Sequence, residues 1–326
     1  MAKSTDRATR VALALLNHLA EGPTDDLRSV RCFRTSQFRS LLLQLNEGRQ
    51  RPSGVALEAS LRQLGYVRPL RVDVGRAHRP KDAFMMAGLH NLGPPSAEEL
   101  LQVWSPSGVL AYFTAISIHQ LSTQIPPYCV LVETRSPTPT VRPEAPQKML
   151  DHNGDQRHRD EDRPARGEDD RARHQRQHAI GQLAFTYEGM PHYISERQLP
   201  LRHSQDVVLH PLTTGTVTTV AQTLADTLRH PIACGGPAVI VEAWENGFDI
   251  ADLGELDDCL GAWGDDELDA RRLGWLCESL NLELPPALAA RVDAACANLA
   301  QARIAPLFQG LNVGAVDDRW RLRVAQ

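Results

Sequence analysis

Apolar residues recur at helical spacing through the first third of the chain. Val11, Leu13, Leu15, Leu16 and Leu19 lie in a first helix that ends near Glu21-Gly22-Pro23. Thr35 or Ser36 is a good N-cap for a second, which carries Phe38, Leu41, Leu42 and Leu45 at i, i+3, i+4 and i+7. After a polar loop, Asn46 to Pro52, a third helix opens at Ser53, places Leu57, Leu61 and Leu64 on one side and stops at Gly65. The period then shortens to two. Val67, Leu70, Val72 and Val74 are interleaved with Arg68, Arg71 and Asp73, GRAHRPK (75–81) reads as a basic turn, and Asp82 to Ala87 as the returning strand. Three helices followed by a basic hairpin predict a winged helix-turn-helix over residues 1–88. The 46–52 loop is longer than the turn such a motif ordinarily has.

Past a polar linker at 91–95, Ser96 opens a short helix, AEELLQVW, with Glu98 and Glu99 in its first turn. Small and apolar residues from 108 to 121 predict another helix, and Tyr128 to Glu133 a buried strand. Strand-like GQLAFTY, HYIS and DVVLHPLT follow from residue 181. Val220, Leu224, Thr227 and Leu228 form a helical stripe that Pro231 closes; Gly235-Gly236 turns the chain and Pro237 restarts it. Helices are expected over 250–263, 268–280 and 286–302. The fold class is therefore α+β: an N-terminal winged helix-turn-helix, then a mixed α/β domain over 89–326 with a helical C-terminal part. The proline-rich, mixed-charge tract at 136–178 has almost nothing to bury and reads as a disordered insertion.

Composition places the chain among ordinary proteins with a buried core, at 42% apolar and 23% charged residues. With no run of about 20 apolar residues and no signal-peptide profile, a cytoplasmic protein without membrane contact is expected. Six scattered cysteines without a C-x-x-C pair read as buried thiols rather than a zinc site. The four histidines at 152, 158, 174 and 178 lack ligand-like spacing, so neither metal nor cofactor is expected.

Charge divides the chain. Residues 1–83 hold 15 Lys/Arg against 8 Asp/Glu, a balance of +7, and the remainder 20 against 32, a balance of −12. A basic winged helix points to double-stranded DNA. Its candidate contacts are Arg49, Arg51, Ser53 and Arg62 near the third helix, Arg34, Gln37 and Arg39 from the second, and Arg76, Arg79 and Lys81 from the wing. The competing reading makes these arginines a solvated face, or ion-pair partners of the acidic remainder. The acidic run from Asp249 to Asp269 is likewise a solvated face, a surface that repels nucleic acid from this side, or a dock for a basic partner.

Enzyme chemistry finds no purchase. G-x-S-x-G, Walker A, H-E-x-x-H and nucleotidyltransferase GS-x-D motifs do not occur, and the lysine and hydroxyl of a phosphate loop are missing around Gly235-Gly236. His119, and Asp226 with Arg229 and His230, read as capping and core residues rather than acid–base groups. A non-enzyme is expected.

Several stretches carry a resemblance. SGVLAYFTAISIHQLSTQIPPYCVLVE (107–133), TLADTLRHP (223–231) followed by Gly235-Gly236, RRLGWLCE (271–278) and RWRLRV (319–324) resemble, in this order, the AbiEi family, antitoxins of type IV toxin–antitoxin and abortive-infection systems. The resemblance covers about residues 105–324 and implies an α+β second domain behind a winged helix. It also implies an autoregulatory repressor that binds promoter DNA as a monomer or dimer at inverted repeats and counteracts a co-encoded, nucleotidyltransferase-like toxin. The alternative is an immunity protein that does not bind DNA and acts by contact through its acidic C-terminal helices.

Overall fold

The computed structural model describes residues 2–24, 28–46, 52–74, 79–87, 93–134, 180–197, 201–262, 267–297, 299, 302–308 and 314–324. The 136–178 tract therefore lies outside the described residues. The first elements are α1 (Ala2–Ala20), β1 (Cys32–Arg34), α2 (Thr35–Leu45), α3 (Gly54–Gln63), β2 (Val67–Val74) and β3 (Arg79–Ala87). Val11, Leu15 and Leu19 of α1, Phe38 and Leu42 of α2, and Leu57 and Leu61 of α3 converge on Phe33, Val67, Met85 and Ala87 of the strands. The helices pack closely because Gly54 has no side chain: a Cβ there would lie 2.8 Å from the Arg39 carbonyl oxygen.

Local details depart from the sequence reading. Thr35 is the first residue of α2 and no side chain caps that helix; instead Thr35 Oγ1 donates to the Asp82 carbonyl at 2.7 Å and fastens α2 to β3. Ser53 does cap α3, accepting from the Ala56 N–H. Leu64 is exposed rather than on the core side, because the helix has ended and Gly65 turns out at φ 78°. β3 begins at Arg79, so the basic turn is shorter than Gly75–Lys81.

The second set comprises α4 (Ala97–Trp104), β4 (Val109–Leu110), α5 (Phe113–Ile118), β5 (Cys129–Thr134), β6 (Gln182–Tyr187), β7 (Met190–Arg197), β8 (Ser204–His210) and β9 (Thr213–Thr218). The helix expected over 108–121 is instead a two-residue strand, a break at Tyr112 (φ 58°) and the six-residue α5. Backbone pairing of Val109 and Leu110 with β5 outcompetes the helical tendency of the small residues around them.

Nine strands form one sheet, in the order β1-β3-β2-β6-β7-β5-β4-β9-β8. Asp73 and Val74 of β2 pair with Thr186 and Phe185 of β6, so strands on both sides of residue 88 belong to the same sheet. The sheet also bends back on itself. Ser29, ahead of β1, bridges Thr213, flanked by hydrogen bonds from Val30 N–H to Leu212 O (3.0 Å) and from Thr214 N–H to Arg28 O (2.8 Å). The enclosed space is filled by α4: its Leu100, Leu101 and Val103 pack with Phe84, Leu131, Phe185 and Val217 from around the sheet.

The remaining helices are α6 (Val220–Arg229), α7 (Pro237–Gly247), a single 3-10 turn (Phe248–Ile250), α8 (Leu253–Ala262), α9 (Glu267–Leu280) and α10 (Pro286–Cys296). They pack around Trp244 against Val130, Val132 and Tyr193 of the sheet. Strands β10 (Ala305–Pro306), β11 (Ala315–Asp317) and β12 (Leu322–Val324) form a small second sheet, so the fold is mixed α+β. Among the described residues, no helix is long and apolar enough to cross a membrane.

Candidate nucleic-acid interface

The basic N-terminal residues divide into those tied into the fold and those on its surface. Arg34 belongs to the first group: its guanidinium lies 4.3 Å from the centre of the Trp104 ring and its Nη1 donates to the Trp104 carbonyl at 3.2 Å, which holds β1 to the end of α4. Arg31, which the sequence reading passed over, is still more deeply committed. It is 1% exposed and forms a bidentate pair with Glu99 of α4, Nε to Oε1 at 2.9 Å and Nη2 to Oε2 at 2.8 Å. Nothing local signals this, since Arg31 sits between Val30 and Cys32-Phe33 and its partner Glu99 is 68 residues away.

Around α3 the charges alternate. Glu58 is 3% exposed and accepts from Arg39 Nε at 2.5 Å and Arg62 Nη1 at 3.5 Å. Arg62 Nη2 reaches Asp82 at 3.5 Å, and Arg71 Nε binds the other Asp82 oxygen at 2.8 Å. Two of the candidate contacts, Arg39 and Arg62, thus meet carboxylates at one end while their side chains remain about 40% exposed. Ser53 spends its hydroxyl oxygen on the α3 cap.

Lys81 is exposed on β3. Gln37 is exposed on a different surface: with Ser36, Ser40 and Gln44 of α2 it lines a groove of about 640 Å³ that His18 and Arg28 also border. Arg49, Arg51, Arg76 and the side chain of Arg79 lie outside the described residues. The structure therefore brings Arg39 and Arg62 together at Glu58, leaves Ser53 at the start of α3, and sets Arg34 and Gln37 apart from them.

What α3 turns outward is mostly uncharged. Val55, Ala56, Ala59 and Gln63 are exposed, while Gly54, Leu57, Glu58 and Leu61 are buried. This face and the Arg39–Arg62 pair beside it make one surface, neutral along the helix and cationic at its flank.

In the second half, the polar groups are turned on one another. Asp226, fully buried, is held by Arg197 (Nη2 to Oδ1, 2.9 Å) and by the Gln222 amide at 2.9 Å. Arg229 binds Asp269, which also accepts from Arg272. His230 packs against Tyr112 with ring centres 5.1 Å apart, and burial drives its pKa down to about 4 despite the attraction of Asp226. His119 sits at the end of α5, 2.6 Å from the Thr218 carbonyl, also with a lowered pKa from burial. In the Gly235-Gly236 turn (φ 93° and 89°), Gly235 is packed against Phe113, whose ring a Cβ there would meet at 2.8 Å. The acidic run is partly consumed internally, Asp257 by Arg291 and Asp269 by Arg229. Burial pushes the thiols of Cys259 and Cys277 up to about 12. No cluster of three metal-ligating side chains occurs among the described residues.

Neither models of known protein families nor curated proteins match the chain.

Proposed function

We propose that this protein is a DNA-binding repressor of the AbiEi-like antitoxin class. The observation that supports the reading is the element order helix, strand, helix, helix, hairpin with strand order β1-β3-β2, which is the order expected if this part is a winged helix, in the part of the chain with a +7 charge balance. In such a unit α3 enters the major groove, while the Arg39–Arg62 flank and Lys81 lie against phosphates. The partner is double-stranded DNA upstream of the protein's own gene, bound by one copy or by two at an inverted repeat. On the resemblance, the helical C-terminal part serves a second task, counteracting a co-encoded nucleotidyltransferase-like toxin, and the repressor acts in the cytoplasm.

Fluorescence anisotropy with the upstream DNA and a shuffled duplex, at two salt concentrations, tests this. Selective binding that weakens steeply with salt is expected, since phosphate contacts release counterions. Binding that is absent, or indifferent to salt, would overturn it.

A further inference from the structure

We propose that α3 reads thymine methyl groups through Val55, Ala56 and Ala59, with Gln63 directed at an adenine, so that the operator is A·T-rich where this helix lies. The inference rests on the DNA-binding reading above and names the base class it implies.

The outward side chains of α3 differ in what they have left to offer a base. Ser53 accepts the Ala56 N–H as the helix cap. Ser60 Oγ donates to the Ala56 carbonyl at 3.0 Å, one turn back along its own helix. Arg62, whose fork is the usual reader of guanine, is drawn aside to Glu58 and Asp82. Beside Arg62, which stays about 40% exposed, the outer arc carries Val55, 55% exposed, with Ala56, Ala59 and Gln63. Small apolar groups have one partner on the edge of a base pair in the major groove, the thymine C5-methyl, and a glutamine amide matches the N6 and N7 edge of adenine. Val55, Ala59 and Gln63 follow one another at i, i+4 and i+8, about 6 Å per interval along the helix axis, close to two base-pair steps. The flanking cations supply the charge complementarity that seats this neutral face on a polyanion.

The test compares the upstream duplex with its uracil-substituted counterpart, which lacks only the 5-methyl groups, using the full-length protein and its Val55→Ser variant at one salt concentration. Circular dichroism checks that the variant, altered at an exposed site, keeps the fold. The protein should lose about four-fold in affinity per contacted methyl on the uracil duplex. Val55→Ser should lose a similar factor on thymine DNA and show a smaller further loss on uracil DNA. Equal affinity of the unaltered protein for both duplexes would overturn the thymine assignment and leave the repressor reading standing. Failure to bind either duplex would overturn both.

Discussion

Arg31 and Glu99, each with a side chain only 2% exposed, meet 68 residues apart in sequence and join the N-terminal strand unit to the helix inside the sheet. Glu99 has a second duty there: its carboxylate accepts the Ser96 N–H at 2.8 Å while its own N–H donates to Ser96 Oγ, a capping box at the start of α4. Removing Arg31 would strand a buried, charged cap. Arg31→Met is expected to cost about 3–5 kcal/mol in urea denaturation, whereas Arg31→Met with Glu99→Leu should recover most of it, because the desolvation penalty of the pair is removed with it. A single variant within about 1 kcal/mol of the unaltered protein would show that the pair does not clamp the two parts.

Glu58 sets how much positive charge α2 and α3 present. Because it holds both Arg39 and Arg62, Glu58→Gln should free their guanidinium groups for phosphate, raise DNA affinity and steepen its dependence on salt by about one phosphate contact. Anisotropy titrations across a salt series read both quantities. Weaker binding by a folded Glu58→Gln protein would mean that the arginines are needed where the carboxylate places them.

Stability should fall in mild acid. Burial holds His192 and His230 at about 4, whereas an unfolded chain takes up these protons near pH 6.5. Between those values the unfolded state binds more protons than the folded one, so stability that is complete above pH 6.5 drains away as the pH falls toward 4. Each histidine contributes a loss on the order of 2 kcal/mol between pH 7 and pH 5. His192 stacks on Phe185 with ring centres 4.2 Å apart, so His192→Phe should keep the packing and shed roughly half of the pH dependence. Urea midpoints that do not move between pH 7 and pH 5 would contradict this.

Gly274 of α9 faces the Trp320 ring: an added Cβ would lie 2.4 Å from it and 2.8 Å from Val292. Both neighbours are buried, and Trp320 Nε1 is anchored to Glu278 at 2.7 Å, so the ring has little room to retreat. Gly274→Ala should therefore destabilise the protein by about 1–3 kcal/mol despite alanine's better helix propensity. A stabilised variant would show that the ring yields.

Much of the fold was legible because its elements carry their own signals. Phe38, Leu42, Leu57 and Leu61 fall on core-facing helical stripes, Ser53 and Pro237 mark helix starts, and the Val67–Val74 alternation marks a strand. What escaped the sequence depends on distant partners. β1 is three residues long and exists by pairing with β3; β9, TTGTVT, is rich in threonine and glycine and is held between β8 and β4. The join of β2 to β6 rests on two residue pairs more than 100 positions apart. α4 reads as amphipathic, yet Gln102 is buried because its amide donates to the carbonyls of Ser105, Pro106 and Gly108 and its oxygen accepts the Thr216 N–H. At the candidate interface, the i,i+4 spacing of Glu58 and Arg62 is legible on α3, but Arg39–Glu58 and Arg62–Asp82 join separate elements and follow from no local period.

Hydrogen–deuterium exchange of the full-length protein, with and without its upstream DNA, tests the central claim most directly. The account predicts new protection over Ser53–Gln63 and at β3 near Lys81, with α8 and α9 unchanged. Protection confined to α8 and α9, or none on saturation with DNA, would contradict it.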